Sequence, residues 1–185
     1  MAKSSRTAEV LVGKAGESPA YWYRDLLWNI HMSADQTLGE FTLLEQLIPS
    51  GGGPPTHVHE RQAEGFYIIS GEMEFVVGLD DEVVSAGPGS SIWVPKFTRH
   101  SFRIVSDEPV RLLNFYTPGG FEEHLPYYGV EATGQTLPPE GTPGAQLDKE
   151  RKLAPLEKRQ AYLQRISDIV EGTWEIPTDA PHPGQ

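Results

Sequence analysis

The chain has 185 residues, of which 38% are hydrophobic and 22% charged, and its net charge is −11 at pH 7. This length and composition suit a globular protein with one main domain. The acidic balance disfavours binding to nucleic-acid phosphates, and no apolar run is long enough to span a membrane, so we expect neither partner. Because cysteine is absent, disulfides and thiolate metal sites are excluded, and any metal must be bound by histidine and carboxylate.

The first 20 residues are polar and contain glycine and serine. They predict an N-terminal arm and hold no apolar run of the length of a signal peptide, so we expect a cytoplasmic protein.

The sequence from residue 21 to about residue 116 has a pattern typical of β-strands. Short runs of aromatic and β-branched residues alternate with turns that contain Gly, Pro and Asp, and no helical pattern intervenes. This pattern predicts an all-β sandwich or barrel. The runs are AYWYRDLLWNIHM, GEFTLLEQLIP, GFYIISGEMEFVVG, SSIWVP, HSFRIV and VRLLNFYTP.

After Pro118 the strand-like pattern ends, and the sequence predicts helical turns, a loop and a helix. GGFEEHL predicts one or two helical turns, and residues 130–147 predict a loop or linker. A helix is predicted to begin at Pro155 and end before Gly172, and to pack on the barrel or on a partner subunit. Its apolar residues near one face are Leu156, Leu163, Ile166 and Val170. The predicted segments are an arm (1–20), a β-barrel (21–125), and a loop with a helical extension (126–185).

Two histidines and a glutamate follow the turn SGGGPP. On an extended strand, His57 and His59 would point to the same face. Glu64 begins the next apolar run, where a hairpin could bring its carboxylate beside the two rings. A His-x-His pair alone is more often polar surface on an edge strand. His100, which begins a later strand, would complete a four-ligand site if it faced the interior.

The spacing of these residues resembles two sequence motifs of the cupin superfamily. The first motif, G-x5-H-x-H-x4-E-x6-G, is matched by Gly51, His57, His59, Glu64 and Gly71. The second, G-x5-P-x-G-x2-H-x3-N, is matched by Gly89, Pro95 and His100. Phe97 replaces the motif glycine, and Ile104 replaces the asparagine. More narrowly, the barrel resembles small cupins of the quercetin 2,3-dioxygenase-like group.

The resemblance implies a cupin double-stranded β-helix, or jelly-roll barrel, with a short C-terminal helical extension. It implies that His57, His59, Glu64 and His100 bind one divalent transition metal. The donor set suits Fe, Ni, Mn, Co, Cu or Zn and does not choose among them. In the resembling dioxygenases the glutamate can take a proton from the substrate, so Glu64 would also be a catalytic base. The resemblance also implies a homodimer.

The walls of the substrate pocket are predicted from period-two alternation along the strands. Two of the positions share a strand face with Glu64, and two share a face with His100. One lies near the mouth of the barrel, and one could supply the side-chain amide that the motif has at position 104. For any single one of them, ordinary core is the alternative. The predicted pocket residues are Phe66, Ile68, Phe97, Phe102, Ile104 and Asn114.

The leading functional hypothesis is a metal-dependent dioxygenase that cleaves a small aromatic or enolisable substrate with O2. The first alternative is a metal cupin that acts as an isomerase, cyclase or lyase without O2. The second is a module that binds a small molecule without catalysis.

Overall fold

A computed structural model describes residues 10–142 of the chain. Ten β-strands account for most of the regular structure of these residues, and a 3-10 turn (Phe121–His124) and a one-turn helix, α1 (Leu125–Tyr128), lie between the ninth and the tenth strand. The strands are β1 (Ala20–Tyr23), β2 (Leu26–Met32), β3 (Thr42–Ile48), β4 (Ala63–Ser70), β5 (Met73–Val77), β6 (Glu82–Ala86), β7 (Ser91–Val94), β8 (His100–Ile104), β9 (Val110–Thr117) and β10 (Val130–Glu131).

The strands form two antiparallel sheets. The larger has the order β10-β1-β2-β3-β9-β4-β7, and the smaller has the order β6-β5-β8. The main hydrophobic core draws on both sheets, so it lies between them; from β4 and β5 it includes Phe66 and Phe75, both fully buried. Burial of apolar surface between two sheets is the main stabilising term in such a fold. The predicted all-β architecture is confirmed.

Strict alternation along β3 and β9 explains which side chains enter the barrel. Buried and less buried residues alternate over the whole length of both strands. The inner face of each strand begins at one end with aliphatic residues, Ile48 and Val110, and becomes polar toward the other end. Gln46 and Asn114 are buried on this face. Because a buried polar group needs a hydrogen-bond partner, these two positions mark where the barrel interior changes from core to site.

The structure corrects three details of the predicted elements. The run AYWYRDLLWNIHM is two strands, because Arg24 and Asp25 have positive φ angles of 56° and 63° and turn the chain back. The EVVSA segment forms β6, which was not predicted; four of its five residues are exposed, so it lacks an alternating apolar signal. Residues 130 and 131, predicted as loop, form β10 and pair with β1.

The predicted turns after Pro118 are present, whereas the predicted helix from Pro155 lies outside the described residues. Beyond β10, the indole Nε1 of Trp22 donates a hydrogen bond to the Thr136 carbonyl oxygen at 2.8 Å. The chain therefore packs on the barrel at least as far as Thr136. The division into arm, barrel and extension stays a prediction. Among residues 10–142, no helix combines the length and apolar character needed to span a lipid bilayer.

The glycine turn after β3 gives a testable prediction. Gly51 and Gly53 both have positive φ angles, 70° and 144°. A Cβ on Gly53 would lie 2.0 Å from the backbone oxygen of Phe102, whereas a Cβ on Gly51 would have no neighbour within 4 Å. We expect Gly53→Ala to lower the free energy of unfolding by about 2–4 kcal/mol and Gly51→Ala by only about 1 kcal/mol. Urea unfolding of both variants measures the difference, and equal losses would contradict this account of the turn.

Candidate metal centre

The two histidines of the HVH stretch reach the site on an extended segment that is not a regular strand, which corrects the predicted strand. His57 instead forms an isolated antiparallel bridge with His100 at the start of β8. The His57 amide donates to the His100 carbonyl at 2.9 Å, and the His100 amide donates to the His57 carbonyl at 3.0 Å. Val58, between the two histidines, is 1% exposed. The backbone bridge to His100 and the buried Val58 side chain therefore both hold this segment in place. Because the segment is extended, the His57 and His59 imidazoles lie on the same face, as predicted for a strand.

Four side chains converge at this point, and we name them the His–Glu cluster: His57, His59, Glu64 and His100. One nitrogen or oxygen from each lies within 4.8 Å of the corresponding atoms of the other three. The Nε2 atoms of His57 and His59 are 3.2 Å apart. Glu64 Oε2 lies 3.0 Å from His59 Nε2 and 3.1 Å from His100 Nε2. The sequence prediction that these four residues would meet matches this geometry.

Backbone carbonyls orient two of the imidazoles. The Nδ1 atom of His57 lies 2.9 Å from the Pro55 carbonyl oxygen, and that of His100 lies 2.9 Å from the Thr98 carbonyl oxygen. A carbonyl oxygen can only accept, so each Nδ1 carries the proton and donates. In a neutral ring, Nε2 then offers a lone pair toward the centre of the cluster. Such a fixed tautomer is the usual arrangement of a histidine that binds a metal.

The other carboxylate oxygen of Glu64 is held from behind. Oε1 accepts a 2.5 Å hydrogen bond from the Tyr116 hydroxyl and a 3.0 Å hydrogen bond from Asn114 Nδ2. Asn114 is itself fixed, because its Oδ1 accepts from Gln46 Nε2 at 2.7 Å and its Nδ2 also donates to the Gly65 carbonyl. All of these side chains are buried. Two donors on Oε1 leave Oε2 as the oxygen that faces the imidazoles.

Burial and neighbouring groups set the ionisation of the cluster. Burial, reinforced by the nearby His100 and His59 rings, lowers the pKa of His57 to about 4, so this ring is neutral near pH 7. Burial opposes ionisation of Glu64, but its polar contacts with His100, His59 and Tyr116 outweigh this effect and hold the pKa of its carboxyl well below the usual range. Burial and the Glu64 charge raise the pKa of Tyr116, which keeps its hydroxyl protonated.

This set of donors fits a divalent transition-metal ion. Three imidazole nitrogens and one carboxylate oxygen point at one centre, and their short mutual contacts in the metal-free protein share protons that a bound cation would replace. Three imidazole nitrogens and one carboxylate oxygen are donors that such ions accept. Tyr116, Asn114 and Gln46 supply the outer hydrogen bonds that a metal site requires.

The predicted pocket residues lie in different surroundings. Asn114 lies against Glu64, as described above. Four others belong to the packed core: Phe66, Ile68, Phe102 and Ile104, which are 0%, 0%, 8% and 1% exposed. Phe97 is half-buried at the turn before β8. Their contact with a substrate stays a prediction. An open depression beside the cluster is lined by Val58, His59, Glu60, Arg61 and Gln62.

Phe97 stands where the second cupin motif has glycine, and its backbone explains that preference. Its φ is 63°, in the left-handed region, and its amide donates to the His59 carbonyl at 2.9 Å. An L-residue in this conformation costs about 1–2 kcal/mol. We therefore expect Phe97→Gly to be more stable than Phe97→Ala by about 1 kcal/mol, since both variants lose the ring and only alanine keeps the strain. Thermal unfolding checks this order; an alanine variant as stable as the glycine variant would contradict it.

Two aromatic residues near the cluster were missed by sequence reasoning as parts of the site. Tyr116 donates to Glu64, and Phe121, in the 3-10 turn, stacks on the Tyr116 ring with centroids 3.9 Å apart at 9°. The Phe121 ring also meets the His59 ring edge-on at 5.9 Å. Alternation along β9 places Tyr116 on the face of Asn114 and could have found it. No periodic signal could have found Phe121, because it comes from a turn that folds back over the barrel end.

Comparison with known proteins identifies the fold. Residues 44–116 match the family model described as the Cupin domain. The barrel has the cupin fold. A structure from Thermotoga maritima, described as a predicted oxalate decarboxylase, has a TM-score of 0.53 and 16% sequence identity, covering 58% of this chain and 99% of that one. An RmlC-like cupin from Shewanella frigidimarina has a TM-score of 0.50 and 18% identity, covering 63% and 99%. At these identities the similarity concerns the fold alone, and it confirms the predicted cupin barrel.

Two relatives of the chain carry the same name. A quercetin 2,3-dioxygenase of Bacillus subtilis (strain 168) is 28% identical over 125 residues, which cover 68% of this chain and 36% of that protein. A quercetin 2,3-dioxygenase of Aspergillus japonicus is 28% identical over 120 residues, which cover 61% of this chain and 33% of that protein. The predicted resemblance to quercetinase-like cupins is confirmed, and the chain spans about a third of the length of these relatives.

Proposed function

We propose that the His–Glu cluster binds one divalent transition-metal ion and that the protein is a quercetinase-like dioxygenase for a small aromatic or enolisable substrate. The convergence of three imidazole nitrogens and one carboxylate oxygen within 4.8 Å is the observation that carries the proposal. The two 28%-identical relatives, both named quercetin 2,3-dioxygenase, favour oxygen chemistry over other metal-cupin reactions. Because the chain covers only about a third of each, the activity is proposed for this cupin domain on its own residues.

A bound metal would supply a Lewis-acid position for a substrate oxygen and, if redox-active, a binding position for dioxygen. The protein contributes orientation. His57 and His100 are held by backbone carbonyls on two segments that bridge each other, so the spacing of their Nε2 atoms is fixed before a ligand arrives. Preorganised donors of this kind avoid the cost of rearrangement during the reaction.

Glu64 has two assigned tasks in this proposal. Held by Tyr116 and Asn114 at Oε1, it presents Oε2 as a single charged ligand atom. It is also the proposed base, which would take the substrate hydroxyl proton at Oε2. Its lowered pKa makes it a weak base, so the proton transfer requires a substrate hydroxyl that is itself acidic, such as an enol or a phenol.

Oxygen uptake by the metal-loaded protein tests the proposal. Separate preparations loaded with Fe, Ni, Mn, Co, Cu or Zn are supplied with enediols, catechols and flavonols, and O2 consumption is followed with product analysis. We expect uptake with at least one redox-active metal and loss of uptake in Glu64→Ala. No uptake with any metal and substrate would contradict the dioxygenase proposal. Turnover under argon with the zinc protein would instead support an isomerase, cyclase or lyase.

A second candidate function is ligand binding without catalysis, which the packing of the barrel favours. Phe66, Ile68 and Ile104 fill the interior next to the cluster, with at most 1% of each residue exposed. Saturable binding without turnover of any substrate would support this candidate. The homodimer, the cytoplasmic location and the role of residues 126–185 are further proposals that rest on the sequence.

A further inference from the structure

Aromatic and aliphatic side chains close the barrel on both sides of the His–Glu cluster. One step inward from Glu64 and from His100 along their strands lie Phe66 and Phe102, whose ring centroids are 5.6 Å apart. Beyond the cluster in the other direction, Tyr116 and Trp28 are 2% and 7% exposed and pack in a second hydrophobic cluster. These side chains therefore leave little space along the barrel axis for a ligand beside the His–Glu cluster.

Phe121 is the half-buried aromatic residue on the outer side of this second cluster. Its ring lies between Tyr116, stacked at 3.9 Å, and Trp28, at 5.9 Å, and its edge faces the His59 ring. Gln62, which lines the depression beside His59, donates from Nε2 to the Gly119 carbonyl at 3.3 Å. Phe121 thus lies against His59, and the segment just before it is hydrogen-bonded to Gln62 at the edge of the depression.

The turn that carries Phe121 is anchored by its neighbour Glu122. That carboxylate is 4% exposed and accepts hydrogen bonds from the Ala34 amide at 2.5 Å, the Thr42 hydroxyl and the Gly120 amide at 3.2 Å. Three donors on one buried carboxylate fix the turn to two separate segments of the barrel. Moving the Phe121 ring away would break this anchor or the aromatic stack, so the ring acts as a fixed wall.

We propose that Phe121 limits the size of substrate at the candidate metal centre, so that compact oxygen ligands of one ring or less bind and multi-ring compounds are excluded. The inference rests on the proposed function, since it requires a metal bound by the His–Glu cluster. It narrows the substrate class to small enols, enediols and single-ring phenols. Fused or linked rings, including flavonols, would overlap the Phe121 ring. A well-packed wall rejects larger ligands by steric overlap, which is costly because packed interiors hardly deform.

Two probes of similar chelating chemistry and different size test the proposal. Catechol and quercetin both offer adjacent oxygen donors, but catechol has a single ring. Wild-type protein is loaded with Co(II), its metal content is measured, and each probe is titrated while the visible spectrum of the cobalt is recorded. We expect catechol to bind at least about tenfold more tightly than quercetin.

Truncation of Phe121 should remove the size limit. In Phe121→Ala we expect quercetin affinity to rise about tenfold or more, with catechol affinity changed by less than about twofold. Phe121→Leu keeps more of the packing and should give a smaller rise in the same direction if the alanine variant folds poorly. Phe115→Ala is the matched control, because Phe115 is also half-buried but stacks with Trp93 on the outer face. It should leave both affinities as in wild type.

Three outcomes would overturn the size limit while the metal proposal stands. They are wild-type protein that binds quercetin as tightly as catechol, cobalt-loaded wild type that binds neither probe, and Phe121 variants that hold cobalt yet keep the wild-type ratio of affinities. Failure of wild-type protein to take up cobalt is a different result, since it contradicts the proposed function itself. The metal measurement made before each titration separates the two.

Discussion

Replacing His57 with alanine is expected to lower the affinity for a divalent transition metal by at least about 100-fold, because even outer-shell changes cost 10–100-fold. His57 is half-buried, so its loss removes a donor without opening a large cavity in the core. Its Nε2 lies 3.2 Å from that of His59, and no other described side chain stands in for it within the cluster. Metal titration with a competing chelator measures the change.

A histidine outside the cluster provides the control for this experiment. His31 lies on β2 and contacts Ser18, just before β1, and Glu45 on β3, and it is not part of the cluster. His31→Ala should keep the wild-type metal affinity, even if its stability falls by about 1 kcal/mol through the lost hydrogen bonds. Equal metal affinity in His57→Ala and wild type would show that the metal, if bound, is held elsewhere.

Replacing Glu122 with alanine is expected to lower the free energy of unfolding by about 3–5 kcal/mol, because it leaves two donors near a buried position without an acceptor and removes a second acceptor from the Gly120 amide. The two donors are the Ala34 amide and the Thr42 hydroxyl, whereas the Gly120 amide keeps the Thr42 hydroxyl oxygen as its acceptor at 3.0 Å. Denaturant unfolding of the metal-free protein measures the loss independently of metal binding. Such a change would be about half of the stability of a typical domain.

Two further substitutions sharpen this prediction. In Glu122→Gln one carboxylate oxygen becomes an amide that cannot accept from Gly120, while the Thr42 hydroxyl can turn to accept, so the loss should be smaller than in the alanine variant. Glu123→Ala, an exposed neighbour in the same turn, should change stability by less than about 0.5 kcal/mol. Similar losses in the Glu122 and Glu123 variants would contradict the anchoring role of Glu122.

The sequence predicted the cluster better than the segments that carry it. The resemblance of HVH, Glu64 and His100 to two cupin motifs predicted that these residues would lie together. The strand assigned to His57 and His59 was wrong, because the bridge between His57 and His100 is a backbone contact between segments that are 43 positions apart. Alternation shows which side a residue faces, but it does not show which distant segment will hold it.

The support of Glu64 was only partly predictable. Asn114 was predicted to point inward from the two-residue steps of β9, and it is 0% exposed with its amide on Glu64. No sequence pattern marked Gln46 as part of the site. The pairing of β3 with β9 places Leu44 opposite Asn114 and Gln46 two residues further along β3, within hydrogen-bonding distance of Asn114. Long-range pairing of this kind depends on the closed barrel and cannot be read from local pattern.

The wall formed by Phe121 had no sequence signal at all. GGFEEHL predicted helical turns, and these turns are present, but nothing in their composition shows that Glu122 will be buried and Phe121 will stack on Tyr116. β6 was missed for the opposite reason, since its exposed valines on an edge strand carry no alternation. The packing of the Phe121 turn and the exposure of β6 both depend on how the other strands are arranged in the folded barrel.

Anomalous diffraction from crystals of the metal-loaded wild-type protein tests the central claim most directly. Data collected on both sides of the absorption edge of the loaded metal locate that ion without assumptions about its ligands. We predict one peak per chain within about 2.0–2.2 Å of Glu64 Oε2 and of the Nε2 atoms of His57, His59 and His100. The absence of a peak at the cluster, or a peak only at other residues, would contradict the metal centre and the function proposed from it.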